Sequence, residues 1–223
     1  MKIKLPEVSS VVQVGAGRGF VFDQKVRTPG WGRPEFKKLK LVPFIRHRRI
    51  ITAAHCLPHF PAPHAWEDYD QVYPNLLGVL GEKPSVCGRL LFADPIGDIA
   101  VLGSPDEQEM YEQAAAYDEL VEALKAIPIG EAQIGTGWVL SLDKPYRWVP
   151  TSLNVTDYGS LLSGPTLGGQ SGSPIVNEEG KAVGVVSVGS EVVEDDKVVP
   201  GDTNGPQPMP KRNLPTWMLR GLR

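Results

Sequence analysis

At 223 residues and 41% hydrophobic content the chain can bury a large core and reads as globular. A formal net charge of −3 gives no electrostatic reason to expect a nucleic-acid partner, and no apolar stretch is long enough to span a membrane. With 24 Gly and 21 Pro, the composition favours many short strands joined by turns over a helical bundle.

The first six residues, Met1 to Pro6, lack the apolar core of a secretory leader, so a cytoplasmic protein is expected. Val11–Val14, the string Gly15-Ala16-Gly17-Arg18-Gly19 and residues 20–22 predict a hairpin. A dinucleotide-binding reading of that glycine string fails, because an apolar strand follows it where a helix would be needed. Arg33, Lys37, Lys38, Lys40, Arg46, Arg48 and Arg49 make a basic run, read as a solvated hairpin face rather than a polyanion site. Residues 49–52 predict a strand that delivers His55 to a loop. Further strands are predicted at 76–80, 89–92 and 99–102, the last with Asp98 at its entrance.

Between 104 and 126 the period changes. Ser104 and Glu107 have capping-box spacing, Pro105 suits a first helical position, and Asp106, Glu107 and Glu109 would suit the helix dipole. Met110, Ala114, Tyr117, Val121 and Leu124 form one apolar stripe. The spacing therefore predicts an amphipathic helix covering the core, with docking of a protein partner on the 104–127 segment as the second reading. Strands resume at 138–140, 147–150, 152–155, 173–176 and 182–188, with a turn at Glu178-Glu179-Gly180. Residues 191–210 read as an acidic, Pro/Gly-rich surface loop, and Asn213 as the cap of a last helix.

Three short segments carry chemistry. Gly168-Gly169-Gln170-Ser171-Gly172-Ser173-Pro174 sets a serine among glycines in a sharp turn. Thr52-Ala53-Ala54-His55-Cys56 offers an imidazole, and Gly97-Asp98-Ile99-Ala100 offers a carboxylate that the following apolar run would bury. A serine hydroxyl becomes a competent nucleophile when an imidazole takes its proton and a carboxylate fixes the imidazole tautomer. Asp98 lies 43 residues after His55 and Ser171 a further 73 on, so only tertiary folding can unite them. Asp98 could instead merely cap a turn, and Asp94 is a nearby alternative acid; Asp98 is preferred because four apolar residues follow it directly.

At these residues the chain resembles the chymotrypsin/trypsin-like serine peptidases, in their bacterial form. TAAHC, GDIAVL and GQSGSP are similar to the family's histidine, aspartate and serine segments, in the family's order. The resemblance implies an all-β fold: a double six-stranded antiparallel barrel in one peptidase domain. Its parts would be an N-terminal barrel at about 6–103, a helical connector at 104–127, a C-terminal barrel at 128–212 and a C-terminal helix at 213–223. It implies a serine endopeptidase using His55, Asp98 and Ser171, with the N–H groups of Gly169 and Ser171 as oxyanion donors, a peptide or protein substrate, and no cofactor. By resemblance, Pro165, Thr166, Ser187, Val188 and Gly189 would bind substrate. Pro165 replaces trypsin's acidic pocket floor, so a neutral pocket for small or apolar side chains is expected.

Two departures matter. Gln170 stands where trypsin carries the aspartate that pairs with a cleaved N-terminus, so activity without N-terminal clipping is expected. No cysteine precedes Cys56, so the bridge usually made beside the family's histidine cannot form in its usual way; spacing leaves a Cys56–Cys87 pair open, and two reduced thiols are the favoured expectation. Two rival functions remain open: a catalytically silent binding module on the same fold, and a metal-dependent hydrolase using His55, His59 and His64. Pro58, Pro61 and Pro63 forbid the helix that would align those histidines, so no metal is expected and His59 and His64 are placed in an exposed loop.

Overall fold

The hairpin that opens the fold forms because two β-branched and aromatic runs flank a turn that glycine can make. Val11–Val14 (β1) pairs antiparallel with Gly17–Arg27 (β2), setting Val11 opposite Phe20 and Val14 opposite Gly17. The structure is a computed structural model, and it describes residues 3–27, 44–59, 64–65, 71–156, 159–163, 166–187, 191–194, 197–200 and 208–214.

β2 continues along Phe44–Thr52 (β3). After His64–Ala65 (β4) come Val72–Val79 (β5), Val86–Asp94 (β6) and Ile99–Gly103 (β7). Six of these strands close on themselves in the order β1-β2-β3-β7-β6-β5, with β5 returning to β1, while β4 lies outside on β6. The closure leaves the barrel no open edge among those six. Val12, Val14, Phe20, Phe22, Ile50, Leu76 and Leu77 from these strands are buried in one apolar cluster, and every residue of β7 is buried. His64 therefore sits on a short strand paired to Ala93, not in the expected loop, whereas His59 is exposed.

The predicted helix is present but starts later. Tyr111–Glu122 (α1) begins after Met110, which makes no side-chain cap. The Ser104–Glu107 capping box does not form: the Ser104 hydroxyl is buried without a partner, and Asp106 accepts the Gln108 N–H at 2.7 Å in a local turn. Local side-chain bonding competed with helix initiation and won. The apolar stripe is as expected, with Ala114, Tyr117 and Val121 buried against the barrel. The Arg48 guanidinium on β3 holds the far end, donating to the carbonyls of Val121 (2.5 Å), Glu122 (2.9 Å) and Leu124 (2.7 Å). These are the carbonyls a helix end leaves unpaired.

From there the chain crosses to the second sheet. Ile127 donates its N–H to Val21 of β2, and Ile129 bridges to Ala182. Gly135–Leu140 (β8), Trp148–Thr156 (β9), Gly159–Ser163 (β10), Pro174–Val176 (β11) and Ala182–Val185 (β12) form an antiparallel sheet ordered β10-β9-β8-β11-β12. The described residues give this half five strands, around a core of Val139, Leu153, Leu162, Ile175, Val183 and Val186. The strands expected at 147–150 and 152–155 are one strand, β9, in which Pro150 faces Trp138 of β8. Residues 191–200 are not a plain loop: Glu191–Glu194 (β13) pairs with Lys197–Pro200 (β14). Asn213 closes a short helix, Pro210–Asn213 (α2), rather than opening one, and residues 215–223 lie outside the described residues. No helix among the described residues is long and apolar enough to cross a membrane.

Candidate active site

The crevice between barrel and second sheet collects the three chemistry-bearing segments. His55 sits in a single 3-10 turn, Ala54–Cys56, directly after β3. Asp98 lies at the mouth of β7, in a left-handed backbone conformation with φ of 48°. Such a conformation is costly for a residue other than glycine and concentrates at functional sites. Asp94 spends its carboxylate on this turn, accepting the N–H groups of Ile96 and Gly97 at 3.0 and 2.9 Å, as a turn cap would.

Asp98 and His55 meet twice. Oδ1 accepts the His55 backbone N–H at 3.0 Å, and Oδ2 lies 2.7 Å from Nδ1. A carboxylate only accepts, so the proton sits on Nδ1 and the neutral ring presents Nε2 as an acceptor. The hydrogen bond to Asp98 raises the His55 pKa above its ordinary value, against the opposing pull of burial. Burial pushes the Asp98 carboxyl up, but hydrogen bonds from His55 and Ser187 and the charge of His55 outweigh it and hold it low.

Ser187 was legible only as a substrate-binding residue. Its buried hydroxyl donates to Asp98 Oδ2 and so forms the third side of the acid's environment. Thr166 is buried as well, while Pro165, Val188 and Gly189 lie outside the described residues.

The serine turn is pinned on every side. The Ser171 carbonyl accepts the Arg18 N–H at 2.7 Å, Gly172 donates to Val186 at 2.7 Å, and Ser173 donates to Gln170 at 3.0 Å. Gly172 has φ of 81°, and a Cβ there would fall 1.8 Å from the Arg18 carbonyl oxygen, so no other residue fits. The turn leaves the N–H groups of Gly169 and Ser171 without an acceptor among the described residues. Two unpaired donors at a cleft suit a developing oxyanion. Gln170 is not free: its Nε2 donates to the Leu140 carbonyl at 2.9 Å and its Oε1 accepts the Leu167 N–H at 2.7 Å.

His55 and Ser171 face one cleft of about 390 Å³, whose lining also includes Gly15, Gly17, Leu57, Pro58 and Gly169. The structure thus brings His55 to Asp98 and sets Ser171 across the same cleft. The Ser171 hydroxyl makes no hydrogen bond among the described residues. Both cysteines are free thiols, Cys56 buried and Cys87 half-buried, and burial pushes the Cys56 thiol up to about 11. Among the described residues no group of three or more His, Cys, Asp or Glu side chains is placed to hold a metal ion.

No family model matches the sequence, and no curated protein does. Solved structures match it by fold. The serine protease of a human pathogenic astrovirus superposes with a TM-score of 0.50 at 12% identity, covering 85% of this chain and 88% of that one. The inactive form of the Rv3671c protease gives 0.41 at 18% identity, covering 84% and 87%. The HtrA-type protease AlgW with a decapeptide gives 0.42 at 12% identity; the match covers 91% of this chain and 60% of AlgW. The chain has the double-barrel fold of the chymotrypsin/trypsin-like serine proteases.

Proposed function

We infer that this serine-protease fold carries a working serine endopeptidase, in which Ser171 is the nucleophile, His55 its base and Asp98 the group that orients His55. The observation that carries this reading is the 2.7 Å contact between His55 Nδ1 and Asp98 Oδ2, in a cleft that also holds Ser171 and two unpaired N–H groups. In acylation, Ser171 Oγ bonds to the scissile carbonyl carbon while its proton passes to His55 Nε2. The carbonyl oxygen takes the negative charge and is held by the N–H groups of Gly169 and Ser171. Collapse breaks the C–N bond, and His55 returns the proton to the leaving amine. Water then attacks the acyl-enzyme with His55 again as base, restoring Ser171. No step needs a cofactor.

A catalytically silent binding module is the second reading, and the unbonded Ser171 hydroxyl is the observation that favours it. Catalytic hydrogen bonds are often loose without substrate and tighten in the complex, so the peptidase reading stands first. A fluorophosphonate probe decides between them. Covalent labelling of the full chain, lost in Ser171→Ala and strongly slowed in His55→Ala, is the expected result. An unlabelled parent chain that still captures peptides would establish the silent module.

A further inference from the structure

We propose that Arg18 is a positioning residue for the oxyanion donors: its buried guanidinium fixes residues 140–142 as a wall against the Gly169–Ser171 turn. This rests on the peptidase reading of that turn. Arg18 lies on β2 of the barrel and is 3% exposed. Its side chain crosses to the second sheet and donates to three successive carbonyls, with Nη1 to Leu140 (3.2 Å) and Ser141 (2.9 Å) and Nη2 to Leu142 (3.1 Å). The guanidinium carbon lies 5.3 Å from the centre of the Tyr146 ring. Among the described residues no carboxylate forms a close ion pair with it, though the charge of Asp143 favours the cation through space. A cation buried this deeply is costly unless its donors are used, and here carbonyl dipoles use them.

What those carbonyls belong to gives Arg18 its role. The Leu140 carbonyl that accepts from Arg18 also accepts Gln170 Nε2, and Gln170 sits between the two oxyanion donors. Leu142 reaches the same turn from the other end, its Cδ1 lying 3.3 Å from where a Cβ on Gly169 would stand. The backbone of Arg18 completes the ring, for its N–H holds the Ser171 carbonyl at 2.7 Å. One residue therefore grips the nucleophile turn directly through its amide and indirectly through its guanidinium. Lysine could not replace it fully, because one ammonium lacks the planar fork that spans three carbonyls.

The test uses the full chain, a fluorophosphonate, and NMR of the His55 Nδ1 proton. Arg18→Met is expected to fold and to label on the order of 10- to 100-fold more slowly, as misplaced oxyanion donors would dictate. Its His55 Nδ1 resonance and titration should match the parent, because nothing in the His55–Asp98 contact passes through Arg18. Arg18→Lys should recover part of the rate. Labelling within twofold of the parent overturns the proposal, and so does loss of the His55 signal together with the rate, which would mark a strut for the fold. If neither variant accumulates as folded protein, the role is structural and the proposal falls. An unlabelled parent chain is a different failure, that of the peptidase reading. In that case amide exchange at Gln170 and Gly172, faster in the Arg18 variants, still tests the wall.

Discussion

Asp98 grips His55 from a strained backbone, with one carboxylate oxygen on the ring and the other on the main-chain N–H of the same residue. The ring contact has opposite consequences for stability and for the role of base. A base must be neutral to accept the Ser171 proton, yet the pairing favours the imidazolium and raises the His55 pKa above the ordinary 6.5. The pair's contribution to stability is full below the unfolded imidazole pKa and is lost as pH rises through the raised folded value. On the proposed peptidase reading, activity should run the other way and grow through that same window.

The acid limb of fluorophosphonate labelling should therefore have its midpoint above 6.5. In Asp98→Asn the rate should fall about 10⁴-fold, since an amide can hold the wrong tautomer, and the midpoint of the residual rate should drop. A pH–rate series on both proteins measures this. A parent profile flat from pH 5 to 8 would remove His55 from the role of base.

Ser187→Ala tests the third side of the acid's environment. The Ser187 hydroxyl stabilises the carboxylate, so its loss should raise the Asp98 pKa and strengthen the attraction for imidazolium. The acid limb should move to higher pH, with a rate loss on the order of 10-fold. Stability should respond in the matching sense. A depressed carboxyl stabilises the fold above its unfolded pKa and loses that contribution as pH falls through the folded value. Acid unfolding of Ser187→Ala should therefore begin at a higher pH than in the parent, as circular dichroism would record.

Much of this site was legible in the sequence because its parts are local. His55, Asp98 and Ser171 each sit in a short segment whose neighbours state the chemistry, and each segment adjoins a strand that a short apolar run marks. What stayed hidden depends on partners distant along the chain. Ser187 and Asp98 are 89 residues apart, and Arg18 and Leu140 are 122 apart. Nothing near Arg18 distinguishes a buried guanidinium from an exposed one; an arginine inside a glycine-rich apolar hairpin was the only signal. The late start of α1 was missed for the converse reason. Asp106 found a backbone donor two residues on, which the capping-box spacing could not foresee.

Gln170 predicts how the site becomes competent. Its amide is engaged at both ends, on Leu140 and Leu167, so the turn needs no newly freed amino group to hold it. Residues near the start are already committed elsewhere: the Lys4 N–H donates to Glu178 at 3.1 Å, and the Pro6 carbonyl accepts the Trp148 indole at 2.8 Å. A preparation with Met1 in place should label at full rate, and limited N-terminal proteolysis should not raise it. Intact-mass measurement before and after labelling reads both quantities. A chain with Met1 in place that is inert and gains activity only on clipping would overturn this.

Gly17 and Cys56 offer a last test, of the crevice itself. A Cβ built on Gly17 would lie 3.4 Å from the Cys56 Cβ, close to the separation that a disulfide requires, but also 2.8 Å from the Ser171 carbonyl oxygen. Gly17→Cys should therefore bridge to Cys56 under an oxidant while pressing on the nucleophile turn. Thiol titration of the oxidised, denatured variant should find Cys87 alone reactive, and three thiols should return on reduction. In the parent the Cys56 thiol, pushed up to about 11, should stay protonated and inert to alkylation at pH 8 while the protein is folded. The bridged variant should label with fluorophosphonate more slowly than the parent, because the new atoms crowd the carbonyl that Arg18 holds. Three free thiols after oxidation would place Gly17 and Cys56 further apart than the structure does.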